Sequence, residues 1–148
     1  MENLFQNSYD TIFKQWYRMR MSLEDKDIKM QCIEVDKWWQ STPLVNHYLH
    51  PDSVDEWPNP WELISENHYC PIARGLGMFY TLYLLGIRDI AFVQAKDYNS
   101  EDVTLILVDH AKYILNYWPN TVVNNNLQDF KVVKELDTLP IIKKIGLK

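Results

Sequence analysis

The chain has 148 residues, 47% of them apolar and 24% charged, and a net charge of −5. That length supports one domain burying roughly two-thirds of its unfolded surface, and the composition excludes a disordered chain. The acidic balance argues against nucleic acid or an anionic membrane as partner, and no apolar run reaches the ~18 residues expected of a spanning helix.

The two cysteines, Cys32 and Cys70, make no disulfide framework. Met1-Glu2-Asn3-Leu4 shows no basic head followed by an apolar stretch, so no signal peptide is expected. The expected setting is reducing and cytoplasmic. Six Trp and nine Tyr are many for so short a chain, and such rings suit both cores and interfaces.

The spacing of Phe5, Tyr9, Ile12, Phe13, Trp16, Tyr17 and Met19 predicts a helix over 5–20. Ser22, with Asp25 three residues on, predicts the cap of a second helix reaching about Trp39. Ile28, Cys32, Val35 and Trp39 share one face of it, and Thr42-Pro43 ends it. Residues 41–69 are proline-rich and aperiodic. They read as an irregular segment with one short helix over 60–66, opened by Asn59 or Asp55. Ordered loops of this length are often functional.

Cys70 precedes Pro71 at the head of an apolar helix over 71–85. Proline suits the first helical position, because its missing N–H would have no partner there. Cys70 is therefore placed at the N-cap. There the free N–H groups and the helix dipole favour thiolate, as a nucleophile requires. The other reading is a small buried hydrophobe. Gly75 and Gly77 each cost about 1 kcal/mol in a helix, which predicts close packing against them. Gly86 is a natural stop.

Strands are predicted over 90–95, 103–108 and 112–118. The last two form a hairpin around Asp109-His110-Ala111. Asn124-Asn125-Asn126 is a loop, and 127–148 holds a weak strand or short helix with a basic end.

Helices, then a cysteine heading a helix, then an antiparallel sheet: this order resembles the transglutaminase-like branch of papain-like cysteine proteases. The segment Asp55-Glu56-Trp57-Pro58-Asn59-Pro60-Trp61-Glu62-Leu63, followed by Cys70, is similar to the D-x-W-x-T-P-x-E-x-L block and nucleophile of bacterial transglutaminase-like cysteine proteinases. Tyr80, Leu84-Leu85-Gly86 and the upstream Val45-Asn46 pair extend the likeness over roughly residues 36–118. The resemblance implies an α+β fold: N-terminal helices, and a central Cys-bearing helix packed on a small antiparallel sheet.

It also implies a site. Cys70 stands at the nucleophile position. Asn116, in Tyr113-Ile114-Leu115-Asn116, stands where the family closes a strand with an orienting Asp or Asn. The position of the family's histidine falls on Asp102 or Val103, and no imidazole stands there. His110 supplies the base only in a second register, in which it opens a strand over 110–117 and Asn124 or Asn125 orients it. Trp57, Trp61 and Asn67 are candidate oxyanion donors, and His68 is an alternative base. The Trp residues also suit a sugar or peptide platform, or a core.

His47, His50, His68 and Cys70 offer zinc-type ligands, but not at the spacing of a common structural site. No metal and no cofactor is assigned. Two functions follow. One is a degenerate domain that binds protein or builds structure, including a homo-oligomer. The other is an active cysteine protease or acyl-transfer enzyme acting on a peptide substrate. The chain also resembles tailed-phage products in style, which implies a virion or accessory role in the host cytoplasm.

Overall fold

The computed structural model describes residues 4–45 and 48–146. The first long helix, α1, spans Tyr9–Leu23. It starts later than the predicted one, after a 3-10 turn at Leu4–Gln6. Helix α2 spans Ile28–Gln40 and is capped by Asp27, whose side chain accepts from Met30 N–H. Ser22 is not that cap. It lies inside α1, and its hydroxyl donates to the carbonyl of Met19. Asp27 prevails because it stands directly before the first apolar position of α2, where an N-cap carboxylate meets free N–H groups.

Helix α3, Pro60–Glu66, opens on a reciprocal capping box. Glu62 N–H donates to Asn59 Oδ1, and Asn59 N–H donates to Glu62 Oε1. Helix α4, Pro71–Leu84, follows. Its chain stops at Gly86, whose φ of 98° a residue with Cβ rarely adopts.

Strands β1 (Ile90–Lys96), β2 (Asp102–Val108), β3 (Tyr113–Leu115) and β4 (Lys131–Glu135) form one sheet in the order β3-β2-β1-β4. Every pairing is antiparallel. β3 is shorter than predicted, because Asn116 takes a left-handed conformation (φ 72°) and ends the ladder. A short helix α5, Leu139–Lys143, closes the fold.

The continuous apolar runs of β1 and β2 have a simple cause: both faces of the sheet are covered. Phe92, Ile106, Val108 and Leu115 join the main core with α4. Val93, Ala95, Leu105, Leu107 and Ile114 form a second cluster beneath Tyr117, Leu127 and Phe130. On its other side α4 meets α2. Trp16 and Trp39 both donate an indole N–H to Thr81 Oγ1, at 2.9 Å each, and Thr81 donates onward to Gly77 O. No helix among the described residues is long and apolar enough to cross a membrane.

Candidate functional site

Three elements meet at the head of α4. Pro71 starts the helix and Cys70 is its N-cap, in extended backbone conformation. The strand-like segment before it pairs with the loop after α2: Leu44 bridges Tyr69, and Val45 N–H donates to Tyr69 O at 2.8 Å. β2 enters from the other side, and Asn116, just past β3, ties it to the helix. Its Nδ2 donates to Pro71 O and to Thr104 O, both at 2.9 Å. Cys70 and Asn116 thus lie in one neighbourhood.

Asn116 also joins a buried polar network. Its backbone N–H donates to Asp36 Oδ1 at 2.9 Å. Gln40 Nε2 reaches the same carboxylate at 3.4 Å, and Gln40 Oε1 accepts from Arg74 Nη1 at 3.2 Å. Arg74 Nε donates to Thr42 Oγ1, and its Nη2 donates to Thr42 O. Burial pushes the Asp36 carboxyl above its usual range, against these hydrogen bonds and the attraction of Arg74. Where the resemblance implies an imidazole relay, the chain carries a network linking α2, α4 and the sheet.

Cys70 itself is sealed. Its relative exposure is 0%. Two hollows flank Asp102 nearby. One of 170 Å³ is lined by Pro71, Arg74, Thr104 and Asn116, and one of 340 Å³ by Ile72, Gln94 and Lys96; Cys70 lines neither. Asp102, at the implied histidine position, bonds Lys96 Nζ at 2.7 Å.

His110 is not brought to the cysteine. It sits in the turn between β2 and β3, with its side chain 91% exposed. Its N–H donates to Asp89 Oδ2 at 2.8 Å, and its Nδ1 lies 3.3 Å from the same oxygen. Six residues of strand and turn separate it from Thr104, which marks the α4 N-terminus. At about 3.3 Å per residue that is about 20 Å, far beyond the reach of a base. The second register is absent as well. No strand opens at His110, and Asn125 Nδ2 donates to Ile114 O and Thr121 Oγ1.

The other candidates face elsewhere. Trp57 Nε1 donates to His50 O at 2.9 Å. Asn67 Nδ2 donates to Phe5 O at 2.7 Å from the left-handed C-cap of α3. Trp61 lines a pocket against α1. His68 is exposed, and its carbonyl accepts from the hydroxyl of Tyr48. The phenol of Tyr48 is pushed up mainly by burial, with Cys70 a lesser cause. His47 of the zinc set and Asn46 of the Val45-Asn46 pair lie outside the described residues. Among the described residues no group of His, Cys, Asp or Glu could hold a metal ion.

Asp36, Gln40 and Arg74 were not legible as a group in the sequence. They come from two helices, and only the crossing of α2 over α4 brings them together. No protein-family model matches the sequence, and no curated protein matches it.

Proposed function

We propose that the chain is a catalytically degenerate domain of transglutaminase-like type that works as a protein-binding or structural component, including a virion or accessory component. One observation carries this reading. The sulfur at the nucleophile position is fully buried, and His110, whose Nδ1 lies 3.3 Å from the Asp89 carboxylate, sits at the far end of the sheet. A thiol enzyme needs its sulfur open to substrate and paired with a base. The amide of Asn116, which would orient that base, holds two backbone carbonyls instead.

The surface supports a contact role. Tyr98 is 77% exposed and Trp118 65% exposed. Tyr117 lies between them in the fold: it stacks edge-on against Trp118 and Phe130 and bonds Asp97 Oδ2 at 2.9 Å. Aromatic residues gathered at one end of a sheet suit a protein interface.

The test is the pH dependence of Cys70 alkylation in the folded protein, read by intact mass, beside His110→Ala. A thiol that stays unlabelled until the protein unfolds, with and without His110, is expected. A thiolate reacting well below the ordinary value of about 8.5, and slowed by His110→Ala, would overturn the reading in favour of an active cysteine enzyme.

A further inference from the structure

A pocket of about 400 Å³ lies between α1 and the head of α3, and none of the residues described around Cys70 lines it. That volume falls in the range of about 300–1,000 Å³ typical of small-molecule sites. Its walls are of two kinds. Phe13, Trp16, Tyr17 and Trp61 supply rings, and Lys14, Arg18 and Arg20 supply positive charge.

The cations are the informative part. The ion pairs among the described residues involve none of the three. The lining holds three cations and no carboxylate; Glu24 is a charge neighbour of Arg20 but does not line the pocket. Arg20 is held in place. Its guanidinium carbon lies 4.3 Å from the centre of the Trp16 ring and 5.6 Å from that of Tyr17. Its Nε is buried and has no acceptor among the described residues. A guanidinium fixed by stacking loses little freedom when it binds an anion. Lys14 and Arg18 stand one helical turn apart and are exposed, so both can swing onto the same charge.

We propose that this pocket binds a small aromatic phosphate monoester. The flat ring lies against the indole and phenol walls, and the phosphate is held by Lys14, Arg18 and Arg20. Three cations in one lining suit a group carrying about −1.5 to −2 charges at neutral pH better than a single carboxylate. Ring stacking adds affinity that free phosphate lacks. A nucleoside monophosphate and a phosphotyrosine share this chemistry. The site is independent of any role for Cys70.

The experiment is calorimetric titration of the full chain with AMP, phosphotyrosine, adenosine and inorganic phosphate. Saturable one-site binding of AMP or of phosphotyrosine is expected, and the tighter of the two names the source. Adenosine and inorganic phosphate should bind at least about tenfold more weakly, and Lys14→Gln and Arg18→Gln should each weaken binding by about tenfold. Both positions are exposed, and a melting curve checks that each variant is folded. The proposal is overturned if neither aromatic phosphate binds. It is also overturned if adenosine or free phosphate binds as well as they do, or if both variants bind like the wild type.

Discussion

Gly77 lies flat against the indole of Trp39: a Cβ placed on it would stand 2.5 Å from the ring carbons. The two opposing effects of a methyl group there differ in size. Replacing a helical glycine with alanine gains about 1 kcal/mol of helix propensity. Forcing a methyl into a packed core costs about 1–3 kcal/mol, and Trp39 is a rigid ring, 1% exposed, with its N–H already bonded. Gly77→Ala should therefore lower the urea midpoint. A midpoint at or above that of wild type would show that Trp39 can move.

Thr81 holds the same two tryptophans. Its single oxygen accepts from Trp16 and Trp39 while donating to Gly77 O. Thr81→Val keeps the shape and leaves two buried indole N–H groups unpaired, at about 1–3 kcal/mol each. Thr81→Ser should keep most of the stability. Equal loss in Ser and Val variants, measured by thermal melting, would shift the cause to the missing methyl group.

Asp36 gives a pH signature. Burial raises its folded-state value above the ordinary carboxylate value, so between the two values the folded chain holds a proton that the unfolded chain has released. Stability is then fully present below the unfolded value and falls as pH rises through the raised folded one. Asp36→Asn keeps an oxygen for the Asn116 N–H and removes the charge. Wild type should lose stability relative to Asp36→Asn as pH rises above the ordinary carboxylate value of about 4. Parallel urea-unfolding curves across that range would refute the assignment.

The turn carrying His110 stores backbone strain. Asp109, His110 and Ala111 have φ of 57°, 54° and 63° in succession. The left-handed region costs an L-residue with Cβ about 1–2 kcal/mol, and glycine is free of that cost. Ala111 is half-buried, so the methyl lost on substitution returns part of the gain. Ala111→Gly should raise stability by about 0.5–1 kcal/mol. A lower melting temperature would mean that its methyl packing against the second core cluster outweighs the strain.

Local signals in the sequence determined the elements. Asn59 and Glu62 at capping spacing open α3, Pro71 starts α4, Gly86 stops the chain, and apolar runs mark β1 and β2. The N-cap position of Cys70 was equally local, since it follows from one proline. Ser22, expected as the cap of α2, lies inside α1, and Asp27 caps α2 in its place. The tertiary structure alone decided what surrounds those elements. Exposure depends on residues far along the chain, so the burial of Cys70 could not be read from its neighbours. The link between Asp36 and Asn116 spans 80 residues. The pocket between α1 and α3 joins Arg20 to Trp61, and no periodicity in either segment predicts that meeting. Capping, turns and periodicity act over a few residues, whereas access, pairing and charge environment are properties of packed surfaces.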